Sequence, residues 1–165
     1  MTRTLALAAV CAVALTVTGY AQKKPNFSGT WVLDAAATAV ANGVSAPAET
    51  KAPAAGNSMV LKHTADALTV ERKGPSGSQS VNYPLDGKEH DVMSGKLPMK
   101  VTSKWDGDKL AIDMTRALGD AQTIVTTTMI YSLDASGRLV IENKLPNGSR
   151  FIVYKKEAPP AAPKK

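Results

Sequence analysis

The sequence predicts an all-β fold, an antiparallel up-and-down meander of roughly nine or ten short strands that closes into a barrel. From Ser58 onward, apolar and polar residues alternate with the period of two that is typical of half-buried strands. Turn residues separate these runs, and Ala35–Ala41 is the one helical candidate. Sequential hairpins close most simply into an up-and-down barrel, which would leave no exposed strand edge.

The first strand is predicted over Asn26–Leu33, where aromatic and β-branched side chains suit a pleated, half-buried surface. Asp34 can then cap a short helix over Ala35–Ala41, and Asn42-Gly43 can end it in the left-handed conformation. The alanine-rich stretch Ala35–Asn57 has two interpretations that stay open. It is either a tolerated low-complexity insertion or a lid over a pocket, because long loops in compact domains often have a function.

The remaining strands follow from alternation and from the turns between them. Gly74–Gly77 predicts a turn, and Asp86-Gly87 predicts a hairpin because both residues tolerate a positive φ. The segment around His90–Met93 is expected to be a short edge strand, and Gln122–Leu133, which is β-rich on both faces, a central one. The other predicted strands are Met59–His63, Leu68–Arg72, Val81–Leu85, Met99–Trp105, Leu110–Thr115, Arg138–Asn143 and Ser149–Lys155.

The N-terminus has the pattern of a signal peptide. A basic start precedes the uncharged apolar run Leu5–Thr18, and Gly19-Tyr20-Ala21 places small residues before a cleavage point. We therefore expect residues 1–21 to be removed, 22–156 to form a single domain, and the Pro- and Ala-rich residues 157–165 to be a disordered tail. The expected location is periplasmic or extracellular. Removal of Cys11, the one cysteine, would exclude disulfides and thiolate catalysis.

The charge balance is basic but dispersed. The chain has 20 Lys and Arg against 14 Asp and Glu, a formal net charge of +6. The absence of a basic helix, and of aromatic residues interleaved with basic ones, argues against nucleic-acid binding. Lysine pairs near both ends favour a weak contact with an anionic envelope surface.

Four features together resemble the calycins, that is, the lipocalins and the intracellular fatty-acid-binding proteins. Phe27–Trp31 is similar to the Gly-x-Trp opening of both families, and the Ala-rich segment sits where fatty-acid-binding proteins have a helical lid. A meander of hairpins follows, and Arg150–Tyr154 lies on the last strand. The resemblance implies that Gly29 and Trp31 form a structural signature, with Trp31 plugging one barrel end and Arg150 packing over its ring. It also implies that Arg150 and Tyr154 contact a ligand carboxylate, although the family spacing is Arg-x-Tyr.

Other candidate residues come from strand parity. His63 shares the parity of Met59 and Leu61 and is a candidate inward titratable group. Arg72 and Arg116 stand at strand ends, where guanidinium groups could pair with an anionic headgroup or simply reach solvent. Trp105 is expected to pack in the core or at the barrel rim. His90 with Glu89 and Asp91 lacks zinc-ligand spacing, so we expect no metal.

These observations favour an exported binding protein for a small hydrophobic or amphipathic ligand, with no cofactor. One alternative is an envelope protein whose barrel is filled by side chains and whose basic ends touch anionic surfaces. A second alternative is an enzyme on a calycin barrel, although we identify no catalytic residue. The sequence leaves the oligomeric state open.

Overall fold

The structure is a computed structural model that describes residues 24–45, 58–74, 77–118 and 123–157. The predicted signal peptide, most of the predicted tail and the second half of the Ala-rich segment lie outside the described residues. Among the described residues, no helix has the length and apolar character needed to cross a membrane.

In the described part of the chain, ten antiparallel strands and one short helix make a nearly closed barrel. The strands are β1 (Gly29–Leu33), β2 (Ser58–His63), β3 (Ala67–Gly74), β4 (Gly77–Pro84), β5 (Glu89–Ser94), β6 (Leu97–Asp106), β7 (Lys109–Leu118), β8 (Thr123–Leu133), β9 (Leu139–Leu145) and β10 (Gly148–Lys156), and the helix is α1 (Ala35–Ala41). The predicted all-β meander, with its short helical segment after strand one, is confirmed.

The strand order is β4-β3-β2-β1-β10-β9-β8-β7-β6-β5, so every strand pairs with its sequence neighbours except that β4 and β5 do not pair. β1 pairs with β10, which brings the two ends of the chain's β-structure together. β4 and β5 stand at opposite ends of the sheet order, without a ladder between them. The expectation that barrel closure leaves no strand edge is therefore wrong at this seam.

The hairpin predicted at Asp86-Gly87 is also wrong, although a turn does form there. Gly87 takes the expected positive φ of 77°. The Asp86 carboxylate accepts hydrogen bonds from the Lys88 amide at 3.0 Å and pairs with His90 Nε2 at 2.9 Å. The aspartate closes this turn with its own side chain, so the turn does not require the two flanking strands to pair.

Alternate turns of an up-and-down meander lie at opposite ends of the barrel, which gives the molecule a base and a mouth. The base carries the connections β2–β3, β4–β5, β6–β7 and β8–β9, and the mouth carries β3–β4, β5–β6, β7–β8 and β9–β10. The base half is filled by a core of inward-facing side chains. Its largest fully buried members include Trp31, Tyr131, Phe27, Met59, Leu61, Leu68, Leu110, Ile112, Leu139 and Ile141.

Helix α1 begins and ends where the sequence predicts. The Asp34 side chain caps it by accepting from the Ala37 amide at 2.9 Å, and Gly43 follows its C-terminal end with a φ of 71°. The helix lies along β10 where β1 no longer pairs with it. Thr38 Oγ1 accepts from the Val153 amide at 2.9 Å and donates to its carbonyl at 3.3 Å.

One helical turn later, Asn42 repeats this arrangement. Its Oδ1 accepts from the Phe151 amide at 2.9 Å, and its Nδ2 donates to the Phe151 carbonyl at 2.7 Å. One helical turn rises about 5.4 Å, close to the spacing of two strand residues, about 6.6 Å. Thr38 and Asn42 therefore substitute for the missing strand along this part of β10.

Candidate functional site

The base of the barrel is sealed by aromatic rings. The Trp31 side chain is 1% exposed, and its Nε1 donates to the Phe27 carbonyl at 2.8 Å. The rings of Phe27, His63 and Trp105 stack with centroids 5.4–6.0 Å apart. The Lys24 ammonium lies 5.1 Å from the Trp105 centroid. Trp31 thus occupies the barrel-end position that the resemblance implied, and Trp105 packs at the rim of the base.

The cation over Trp31 is Lys156, whose Nζ lies 5.7 Å from the ring centroid. The resemblance had placed Arg150 there, and the structure corrects it. The short β1–β10 ladder pairs Trp31 with Lys156, whereas Arg150 pairs with Asn143 near the mouth. Gly29 makes room for this lysine, because a Cβ at Gly29 would lie 2.7 Å from Lys156 Cε, and its φ of 143° also disfavours other residues.

His63 is half-buried in this base and does not contribute to the mouth. Its Nδ1 accepts a hydrogen bond from the Phe27 amide at 3.2 Å, which places the proton of the neutral ring on Nε2. Burial lowers the pKa of His63 below its ordinary value of 6.5, and the nearby Lys24 ammonium lowers it further. His63 therefore packs in the base of the barrel, where its surroundings favour the neutral form of the ring.

A cavity of about 250 Å³ opens at the mouth of the barrel. Two of the predicted residues, Arg72 and Arg116, line it from β3 and β7. The other lining residues are Tyr83, Ser94, Leu97, Met99, Met114, Thr127 and Met129. Among the described residues, neither α1 nor Arg150 lines this cavity. The described part of the Ala-rich segment therefore does not support the interpretation of that segment as a lid.

Three tyrosines lie near enough to Arg72 for its charge to act on them, and one of these, Tyr83, lines the cavity. Burial raises the pKa of Tyr83 and of Tyr154, and the charge of Arg72 partly offsets the rise in each. Burial also raises the pKa of Tyr131 far above its ordinary value. All three phenols therefore keep their protons at neutral pH and are available as hydrogen-bond donors.

Two buried side-chain hydroxyls, those of Ser103 and Tyr131, have no partner with hydrogen-bond geometry among the described residues. Tyr131 is 0% exposed and does not line the cavity, and the nearby Arg72 moderates the rise of its pKa both by its charge and as a hydrogen-bond donor. An unsatisfied buried hydroxyl costs about 1–3 kcal/mol, which is why such groups are rare. Tyr83 was missed as a site residue because strand parity showed it only as a core side chain.

Two shallower concavities flank the barrel. One, of about 410 Å³, follows the seam between β4 and β5 and includes Asn82, His90 and Asp91. The other, of about 280 Å³, lies at the base beside Lys24, His63 and Trp105. Within the described ranges, no group of three or more His, Cys, Asp or Glu side chains is placed to hold a metal.

Within the described ranges, the strand order, the short helix after strand one and the inward-facing core define a calycin-like fold of the lipocalin and fatty-acid-binding-protein type. Among solved structures, the chain is similar to a variant of the fluorescent protein UnaG, with a TM-score of 0.52 and 20% sequence identity. The match covers 81% of this chain and 97% of that one. No family model matches the sequence, and no curated protein matches it.

Proposed function

We propose that this is an exported binding protein that holds a small hydrophobic or amphipathic molecule in its mouth cavity, with an acidic group of the ligand beside Arg72. The observation that carries the proposal is the mouth cavity, in which Arg72 and Tyr83 both line the wall. A carboxylate, sulfonate or phosphate oxygen entering there would accept from both groups. Such charge-assisted bonds are stronger than those between neutral groups.

The wall of the cavity suits the apolar part of such a ligand. Met99, Met114 and Met129 are unbranched, polarizable side chains that adapt to irregular shapes, and Leu97 stands at the opening. Arg116 adds a second cation near the entrance. The cavity lies just below the usual range of about 300–1,000 Å³ for ligand pockets, so the ligand should be small. An open cavity also argues against the alternative of a barrel filled throughout by side chains.

Native mass spectrometry of the protein purified from its host tests whether a ligand is carried. A stoichiometric small-molecule adduct supports the proposal. Its absence, together with a failure to bind the anionic probe 1-anilinonaphthalene-8-sulfonate saturably, contradicts it.

Probe titration with matched variants then tests the site. Arg72→Gln should weaken probe binding about tenfold or more, because a charge-assisted bond is worth about 1.5–3 kcal/mol. Tyr83→Phe should weaken binding as well, because it removes the hydroxyl of a tyrosine that lines the cavity beside Arg72. Arg150→Gln is the control, because Arg150 is also at the mouth end of its strand but does not line the cavity. Equal losses for Arg72→Gln and Arg150→Gln would contradict the assignment.

Export is the second part of the proposal, and the N-terminal sequence supports it. The mass of the protein recovered from the periplasm or medium of its host should correspond to a chain that begins at Gln22. A cytoplasmic protein that retains the first 21 residues would contradict it.

A further inference from the structure

The two ends of the barrel differ in their exposed apolar residues. The large hydrophobic side chains that stand exposed among the described residues all lie at the mouth end or on the connection that leaves β1 there. They are Met93, Leu97, Ile124 and Leu145 at the mouth turns, and Val40 and Val44 on and after α1. Ile124 is 69% exposed and Leu97 58%. Exposed apolar groups clustered on one end indicate an interaction surface.

The ends differ in charge as well. Each base turn contains aspartate, and the set is Asp66, Asp86, Asp106, Asp108 and Asp134. The described residues that flank the mouth turns are instead basic wherever they are charged, and these are Arg72, Lys96, Arg116, Lys144 and Arg150. Asp120, in the β7–β8 connection, lies outside the described residues. Apolar and basic groups therefore share the mouth end, whereas the base mixes its aspartates with basic residues such as Lys24, Arg138 and Lys156.

We propose that the mouth rim, defined as Met93, Lys96, Leu97, Arg116, Ile124, Lys144, Leu145 and Arg150, docks on a membrane that contains anionic phospholipid. Isolated apolar side chains on turns can enter the headgroup region, while neighbouring Lys and Arg pair with lipid phosphates. In the described part of the chain, exposed large apolar side chains occur at the mouth and not in the base turns, so insertion of the rim orients the barrel with its cavity facing the lipid. A polar protein partner would explain the basic residues but not the exposed apolar ones.

Vesicle co-sedimentation tests the docking surface. The protein should bind vesicles of phosphatidylcholine mixed with phosphatidylglycerol, bind phosphatidylcholine vesicles much more weakly, and be released by salt. Lys96→Glu should lower binding at least about fivefold, because each basic residue lost near an anionic surface has an effect of about that size. Ile124→Gln combined with Leu145→Gln should lower binding as well, and neither residue lines the cavity.

The base turn offers a matched control. Lys88 follows Gly87 as Lys96 follows Gly95, and both glycines have positive φ, at 77° and 64°. Lys88→Glu makes the same change of charge at the opposite end, so it should leave vesicle binding nearly unchanged. Equal losses for Lys88→Glu and Lys96→Glu, equal binding to both vesicle types, or binding to neither would overturn the proposal.

The docking surface and the ligand site can be tested separately. Tyr83→Phe alters the cavity and leaves the rim intact, so it should weaken probe binding in solution and retain vesicle binding. The Ile124→Gln, Leu145→Gln variant should behave in the opposite way. Failure of the vesicle experiment alone therefore leaves the proposed ligand site standing.

Discussion

At the scale of single residues, Trp31 carries the largest expected contribution to stability. Its ring is almost fully buried, and its Nε1 satisfies the Phe27 carbonyl. Replacing Trp31 with Ala should destabilise the protein by about 3–5 kcal/mol, the range for a large buried aromatic. Urea denaturation measures this loss. Trp105→Ala is the comparison, and it should lower the free energy of unfolding by less because the Trp105 ring is partly exposed. A loss below about 1 kcal/mol for Trp31→Ala would contradict the role of Trp31 in sealing the base.

His63 makes the stability of the base depend on pH. Its folded-state pKa is lowered by burial and by Lys24, so the unfolded chain takes up the proton at a higher pH than the folded one. The free energy of unfolding should therefore fall as the pH decreases below about 6.5, and the fall should end once the folded pKa is passed. Protonation of Nδ1 would also remove the acceptor for the Phe27 amide.

The prediction is that His63→Gln flattens this part of the pH profile. Urea denaturation at several values between about pH 7.5 and about pH 5 measures it. His90→Gln is a suitable control, because His90 pairs with Asp86 on the surface rather than accepting from a backbone amide. An unchanged slope in the His63→Gln variant would contradict the assignment.

At the scale of elements, α1 is held to the barrel by polar contacts. None of its residues is buried, so its attachment rests on the hydrogen bonds of Thr38 and Asn42. Thr38→Val keeps the shape and removes both bonds to Val153, which should cost about 1–2 kcal/mol. Hydrogen exchange at the Val153 amide should become faster.

Thr128→Val is the control for this prediction. Thr128 also uses its hydroxyl in a bond, at 2.6 Å to Asp113, but on β8 and away from the helix. Val153 should therefore exchange at its original rate in that variant. Equal acceleration in both variants would show that α1 does not protect this edge of β10.

The bounds of α1 were predictable because its signals are local. Asp34 and Asn42-Gly43 act on the backbone within one turn, and the structure confirms both. The pairing of Thr38 and Asn42 with β10 was not predictable, because it depends on where the β1 ladder stops. The position of Arg150 was not predictable for the same reason. Strand alternation shows which face of the strand Arg150 is on, but its distance from Trp31 depends on the β1–β10 register.

At the scale of the whole molecule, the seam between β4 and β5 is where the meander pattern and the structure differ. The Asp86-Gly87 turn was recognisable from two residues, whereas pairing of the strands it joins depends on how the sheet twists across the barrel. The mouth cavity, too, could be predicted only in part from the sequence. Arg72 and Arg116 were identified from strand parity, but their convergence with Tyr83 depends on the complete barrel.

The seam should also be the least protected part of the barrel wall. Amide protons of β4 and β5 that face the seam have no ladder partner, whereas β8 is paired on both sides by β7 and β9. Hydrogen exchange followed by NMR should show faster exchange for those amides than for β8. Uniform protection around the barrel would indicate that the seam is closed in solution.

The hydrogen bonds of Thr38 and Asn42 to β10 determine where along the chain a change of length can be tolerated. The β1–β2 ladder is fixed by Val32 and Ser58, and the β10 edge is satisfied as far as Asn42. The number of residues between Asn42 and Ser58 is therefore not set by any strand register. Insertions or deletions there should change the barrel's stability only slowly with length, because loop-closure entropy grows only logarithmically.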